Sequence, residues 1–313
     1  MILAPMQGLT EVLFRKCYET CFPGVIDKAV SPFLSLTHGN LADAWKKIDD
    51  VLPENNIGSI PVVPQILGKE GDEFTQLANR LGEIGYDEVN WNIGCPMRRV
   101  AGKHRGSGIL PYPDEIRQVL DTVVPKLQHI SLSIKMRLGY VSADEIFKII
   151  PILNDYPLKN VTIHPRTGKQ QYSGSIDLNT FDQAIRLLKH PSIYNGDICS
   201  PEHYQYIRNR FTQLNDVMIG RGVLYDPTLP LKIKQIPCSV SDTVRFIKTL
   251  IEAILAQPVS DEGKQRKIKE YWCLLWHSTG ITEIESKKVL HTPTLNDACQ
   301  TIEKILLSLQ NQL

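Results

Sequence analysis

Asn92-Ile93-Gly94-Cys95-Pro96 closes an apolar, strand-like run at 87–91 and opens a loop dense in glycine and base, from Met97-Arg98-Arg99 to Lys103-His104-Arg105-Gly106-Ser107-Gly108. A thiol just past a strand end, beside a carboxamide and a proline that stiffens the turn, stands where parallel-sheet proteins do their chemistry. An unperturbed thiol has a pKa of about 8.5, so at neutral pH it is mostly protonated and can act as an acid. The competing reading is packing, because a free cysteine usually behaves as a small buried hydrophobe. Two features favour chemistry: the polarity of the following loop, and matching polar residues at the other strand ends.

Those ends read, in order, Pro5-Met6, Gln65, Asn92 with Cys95, Lys135 with Arg137, His164 with Arg166, Asn195-Gly196-Asp197 and Gly220-Arg221-Gly222. Amide, cation, imidazole and glycine in succession suit an anionic, heteroaromatic ligand with a phosphate tail. The two glycine turns match the place where barrels bind phosphate through backbone N–H groups. Lys135 is either an ion-paired lysine or, following Ser133-Ile134 in strand alternation, a cation in the barrel mouth that needs an anion. The N1/O2 edge of a reduced flavin is one such partner. His164 alone could be a satisfied core histidine; Arg166 two residues on gives an anion-facing role more weight. No G-x-G-x-x-G follows a strand and opens a helix, which argues against a dinucleotide-binding Rossmann domain.

Eight strands are expected to carry these ends, at 2–4, 24–30, 61–66, 87–91, 132–136, 160–163, 192–194 and 216–219. Amphipathic segments at 73–84, 114–127, 143–154 and 181–188 lie between several of them. Alternating strands and helices make right-handed βαβ units, and eight units close an α/β fold, the TIM (β/α)8 barrel. Pro61 and Pro64 mark the third strand as irregular. After Gly222 the texture becomes helical, with apolar residues at three- and four-residue spacing over 244–256, 263–279 and 295–309. The expected organisation is a catalytic barrel at 1–232 and an all-helical C-terminal domain at 239–313. The run Lys264-Gln265-Arg266-Lys267-Ile268-Lys269, followed by Tyr271-Trp272, is either a nucleic-acid face or a solvated helix face with its aromatics in the core.

Bulk properties narrow the class. The net charge is +1, from 35 basic and 34 acidic residues, so a polyanion would have to be met by local patches. The seven cysteines contain no C-x-x-C pair, against a zinc ribbon or a disulfide framework. The apolar start Met1 to Met6 is too short for a signal sequence, and no run approaches a membrane span. A monomer in reduced cytosol, without metal and away from membranes, is expected.

Taken together the motifs resemble the flavin-dependent dihydrouridine synthases, along essentially the whole chain. The resemblance is carried by Ala4-Pro5-Met6, Pro64-Gln65-Ile66-Leu67-Gly68, Asn92 to Pro96 with its glycine-rich sequel, and Ser133 to Gly139. It continues through His164-Pro165-Arg166-Thr167, Asn195-Gly196-Asp197-Ile198 and Ile219-Gly220-Arg221-Gly222. Departures are Pro165 where glycine is more usual, Ala29 to Phe33 in place of an acidic segment, a more basic loop at Gly102 to Gly106, and a charge-balanced helical domain.

The resemblance implies FMN in the barrel, NADPH as reductant and a helical domain that cradles structured RNA, transfer RNA first and ribosomal RNA as the alternative. It implies hydride addition at uracil C6 and protonation at C5 by Cys95. Pro5, Met6, Gln65, Lys135, His164, Asn195, Gly196, Asp197, Gly220 and Arg221 would hold the cofactor. Asn92, Arg166 and Tyr172 would face the flipped base, since a uridine must leave its stack to reach a barrel mouth. Phosphates would be met by Arg98, Arg99, Lys103 and Arg105 on the loop and by Lys264, Arg266, Lys267 and Lys269 on the helix. The rivals are an FMN barrel oxidoreductase acting on a free pyrimidine, such as a dihydroorotate dehydrogenase, and a non-catalytic RNA-binding barrel. The latter sits poorly with an intact Cys95, Lys135 and His164.

Overall fold

The computed structural model describes residues 1–36, 41–45 and 47–310. Ten strand pieces form one sheet: β1 Ile2–Leu3, β2 Lys28–Val30, β3 Leu34–Ser35, β4 Val62–Val63, β5 Gln65–Leu67, β6 Glu88–Ile93, β7 Ser131–Gly139, β8 Val161–Thr167, β9 Ser192–Tyr194 and β10 Asp216–Ile219. Their order is β3-β5-β6-β7-β8-β9-β10-β1-β2-β4, and the pairs are parallel. Pro64 alone separates β4, at one end of that order, from β5, next to its other end, so the ring closes. Proline has no N–H for the ladder, which is why the third barrel strand breaks there; its carbonyl still accepts from the Asn90 N–H at 2.8 Å. The eight expected strands are thus present, the second only over 28–30 with a further piece at 34–35 beyond its expected end, and the third in two pieces.

Length is where expectation and structure part. β7 runs on to Gly139 and β8 to Thr167, with a register shift between Arg137 and Gly139. Arg137 and Arg166 are therefore strand residues with fixed backbones, not loop residues. Inside the ring, Ile2, Ala4, Val30, Val63, Ile193 and Met218 form a small cluster of their own. The larger core lies between the sheet and its surrounding helices. Strands buried on both faces read as apolar runs, as parallel strands do.

The four expected interstrand helices appear as Gly71–Glu83, Pro113–Val123, Ile146–Leu153 and Leu178–Leu187. Helices Val12–Cys21 and Pro201–Arg210 complete more of the units. Beyond the barrel come Val240–Leu255, Asp261–Leu275, Glu283–Leu290 and Leu295–Gln310. The third of these departs from the sequence expectation: its apolar periodicity is weak, and its start is marked instead by a capping box of Thr282 and Glu285. Residues 311–313 of the expected helical domain lie outside the described residues.

The helical segment docks through aromatic rings on Val12–Cys21. Phe246 meets Phe14, Tyr18 and Phe22 at centroid distances of 5.5, 5.7 and 5.9 Å. Phe246 is fully buried, and the core runs without a break from barrel to helices. Phe246→Ala should cost about 3–5 kcal/mol by deleting this plug. Urea denaturation would show it as a lower midpoint, and a loss below about 1 kcal/mol would mean the junction is not a packed core.

Candidate active site

The strand ends meet in a cavity of about 660 Å³, within the range of small-molecule sites. Its walls include Pro5, Met6, Asn92, Cys95, Arg98, Lys135, His164, Tyr172, Asn195, Gly196, Asp197, Gly220 and Arg221, all expected from sequence. Gln65 and Arg166 stand behind the wall, both buried. Phe33, Arg99, Arg137 and Gln171 also line it.

Cys95 is placed by a chain of side-chain amides. Ser133 Oγ accepts from Asn90 Nδ2 at 2.9 Å, and Asn90 Oδ1 accepts from Gln65 Nε2 at 2.8 Å. Gln65 Oε1 accepts from Asn92 Nδ2 at 2.8 Å; Asn92 Oδ1 then accepts from the N–H groups of Gly94 and Cys95 at 3.0 and 2.9 Å. Asn92, expected to face the flipped base, thus has its oxygen already occupied by its own loop. Gln65 likewise works through Asn92 rather than from the cavity wall. On the far side, the Cys95 carbonyl accepts from Ser107 N and Oγ at 2.9 and 3.0 Å. Gly106 makes this closure possible: its φ is +55°, and a Cβ there would come within 2.6 Å of the Cys95 carbonyl oxygen.

Arg137 ties two cavity loops together. Its Nε donates to Gly94 O at 3.0 Å, while Nη1 donates to Thr167 O at 2.8 Å and Gln171 O at 2.7 Å. Arg166 donates to Asp197 Oδ1 at 2.9 Å and Gly174 O at 2.8 Å, and its Nη1 lies 3.2 Å from His164 Nε2. Arg221 also pairs with Asp197. Arg166, expected near the substrate base, therefore holds Asp197 and the Gly174 turn. Tyr172 is 52% exposed at the mouth, with the Arg221 and Arg137 guanidinium carbons 4.8 and 5.5 Å from its ring centroid.

Burial is the leading influence on the ionisable groups and acts oppositely on acids and bases. It pushes the Cys95 thiol above its ordinary range, against a backbone N–H and the charges of Arg137, Lys135 and Arg99. It pulls Lys135 down to about 7, with Arg137 adding to the effect. It also draws His164 well below 6.5, reinforced by Arg137, Lys135, Arg166 and Arg221, so the imidazole is neutral. An arginine can only donate, so His164 Nε2 accepts and Nδ1 carries the ring hydrogen. Burial alone would raise Asp197, but hydrogen bonds and charge from Arg166 and Arg221 outweigh it and hold the carboxyl below its usual range.

Not every expected basic group faces the opening. Arg98, Arg99 and Lys103 are exposed, whereas Arg105 is buried and paired with Glu70. Lys267 bonds the Gly8 carbonyl and Glu11, and Lys269 donates to Thr292 O at 2.7 Å. Arg137 stands at a strand end in the sequence, but no local signal marks it as a bridge between loops. Among the described residues no cluster suits a metal ion, and no helix is long and apolar enough to cross a membrane.

Among the described residues the mouth of this closed parallel barrel carries five lysine and arginine side chains (Arg98, Arg99, Lys135, Arg137, Arg221) against the one carboxylate of Asp197, a lining suited to an anionic ligand. The family model for dihydrouridine synthase matches residues 2–292, and the chain belongs to that family. A tRNA-dihydrouridine(16) synthase of Neisseria meningitidis is 28% identical over 87% of this chain and 84% of its own. One from Haemophilus ducreyi is 32% identical over 75% and 73%. Among solved structures, an old yellow enzyme homologue from Zymomonas mobilis aligns with a TM-score of 0.55 at 9% identity, over 76% of this chain and 89% of that one; it shows the shared fold. The protein is thus a flavin- and NAD(P)H-using oxidoreductase that converts uridine to dihydrouridine.

The Lys135 ammonium has no counter-charge among its described neighbours, which gives a pH signature. Its pKa is about 7 folded against 10.5 for an ordinary lysine, so between those values the unfolded chain binds the extra proton. Stability of the flavin-free protein should therefore rise with pH across that window. Lys135→Met should flatten the rise, as read by urea denaturation at about pH 6.5 and about pH 9.5. Equal slopes in both proteins would show that Lys135 does not titrate there.

Proposed function

We propose that the protein reduces a uridine in transfer RNA, using FMN as its flavin and NADPH as reductant, with Cys95 as the proton donor. The observation that carries this is the seating of a protonated thiol among cations at the cavity wall. Burial keeps the proton on sulfur at neutral pH, while Arg137, Lys135 and Arg99 lower the cost of the thiolate left after transfer. That combination suits a general acid better than a nucleophile.

The donor set fits FMN. Lys135 is a buried cation awaiting an anion, the neutral His164 offers Nδ1–H, and Arg221 stands at the last glycine turn. Gly196 and Gly220 both line the cavity beside Arg221, so backbone and guanidinium N–H groups would meet a phosphate there. When bound, the flavin supplies the hydride that the uracil ring takes up. The chain supplies the rest: the amide chain through Asn92 orients Cys95, Arg137 holds its loop against that of Tyr172, and Cys95 Sγ delivers its proton to uracil C5. Tyr172, half-exposed between two guanidinium groups, suits the face of an extruded base.

Transfer RNA is favoured because the relatives that match most of this chain are named for it. Exposed Arg98 and Arg99 beside the opening would meet its phosphates. The seven cysteines are free thiols, which suits a reducing cytoplasm.

The purified protein should be yellow and release one FMN per chain; release of FAD would overturn the cofactor assignment. Cys95→Ala should keep flavin content and NADPH-driven flavin reduction, while dihydrouridine formation in tRNA falls by at least about 10²-fold. Full activity in that variant would show Cys95 to be packing alone. Arg98→Gln with Arg99→Gln should reduce the log–log salt slope of tRNA binding by roughly 0.7–0.9 for each phosphate these side chains neutralise. An unaltered slope would move the RNA elsewhere on the surface.

A further inference from the structure

The loop after β1 forms one wall of the cavity with Pro5, Met6 and Gln7. Its ends are tied within the barrel: Thr10 Oγ1 accepts from Met6 N at 2.9 Å and donates to Ala4 O at 3.0 Å, and Arg15 donates to Thr10 O at 2.9 Å. The carbonyls in the middle are taken by the helix Asp261–Leu275 instead. Lys267 Nζ donates to Gly8 O, and Tyr271 Oη donates to Leu9 O at 2.6 Å. Lys267 also pairs with Glu11 at 3.2 Å and Glu270 at 3.6 Å. Tyr271 is 2% exposed and stacks on Phe14 at 6.0 Å. Gly8 has φ +78°, and a Cβ there would lie 3.2 Å from Glu270 Oε1, so the strap is shaped to this helix.

We infer that Lys267 and Tyr271 are positioning residues: across the junction they hold the Pro5-Met6-Gln7 wall in the form that receives the flavin, and Lys267 does not bind RNA. The inference rests on the flavin reading above. A phosphate could recruit Lys267 only by taking its ammonium from one carbonyl and two carboxylates. Lys269 is likewise committed to Thr292, which leaves the exposed Arg266 as the member of the run best placed to meet a phosphate. The basic run is therefore divided, one part facing the barrel and one facing outward.

The test measures FMN binding by quenching of its fluorescence, alongside the salt dependence of tRNA binding, in the full chain. Lys267→Met keeps the aliphatic stem, and Tyr271→Phe removes only the hydroxyl. Both should weaken FMN binding by about tenfold, the scale expected when a hydrogen bond that holds the wall is removed, and alter the visible flavin band. Their tRNA salt slopes should match wild type. Lys267→Arg, which can still reach the carbonyl with a charge, should recover most of the affinity. Wild-type FMN binding in both variants, or a flattened salt slope in Lys267→Met, would overturn the inference. A wild-type protein that takes up no FMN would overturn the flavin reading itself.

Discussion

The run of side-chain hydrogen bonds from Ser133 through Asn90, Gln65 and Asn92 to the backbone of Gly94 and Cys95 is the constraint on which the site depends. It crosses the third, fourth and fifth barrel strands, so the sheet sets the position of the thiol together with the Ser107 closure of its loop. Each bond contributes on the order of 1 kcal/mol net, yet breaking one strands a buried amide at a cost of about 1–3 kcal/mol. Every side chain in the run is buried, which makes the chain close to all-or-none. Asn92→Leu, though similar in size, would leave Gln65 and two loop N–H groups unsatisfied.

Around that rigid thread the protein concentrates positive charge. Arg137 and Arg166 offset part of the desolvation cost with backbone carbonyls and with Asp197, while Lys135 has only the cavity. The arrangement is costly in isolation and sensible once an anion is bound, because the ligand's charge then serves as the missing partner. The same field serves Cys95 in two opposed ways. Burial raises the pKa of the thiol, and the charges of Arg137, Lys135 and Arg99 oppose that rise, the balance the proposed proton donor would need. A more exposed thiol would titrate too easily; one with no cations nearby would hold its proton too tightly.

The strand ends are legible in the sequence because a parallel barrel sends its functional residues to one rim, and short apolar runs between amphipathic helices mark each rim position. Most of the residues singled out there do line one cavity. What the sequence hides is the direction in which each polar group spends its hydrogen bonds. Asn92 looks like a ligand for a base, but its oxygen serves the loop two and three residues on. Arg166 looks like an anion hook, but Asp197, 31 residues away in sequence, claims it. Arg105 and Lys267 read as solvent-facing charges until folding brings Glu70 and Gly8 against them. Charge patterning shows that a cation exists; only the tertiary structure shows what it faces.

The helical segment follows from the same logic of shared walls. Its aromatic plug on Val12–Cys21 buries the junction, and its helix Asp261–Leu275 grips the strap that follows β1. A barrel open at its mouth must fix each loop by some interaction, and the first loop lacks the amide thread that secures the Cys95 loop. Placing that grip on an element outside the barrel makes one cavity wall depend on helices that lie beyond the sheet. One face of that helix is spent on the strap behind the cavity wall, and its exposed Arg266 points elsewhere. The first loop of the barrel is thus held by contacts that span 259 and 262 residues of sequence, which link the shape of the cavity to the docking of the helices.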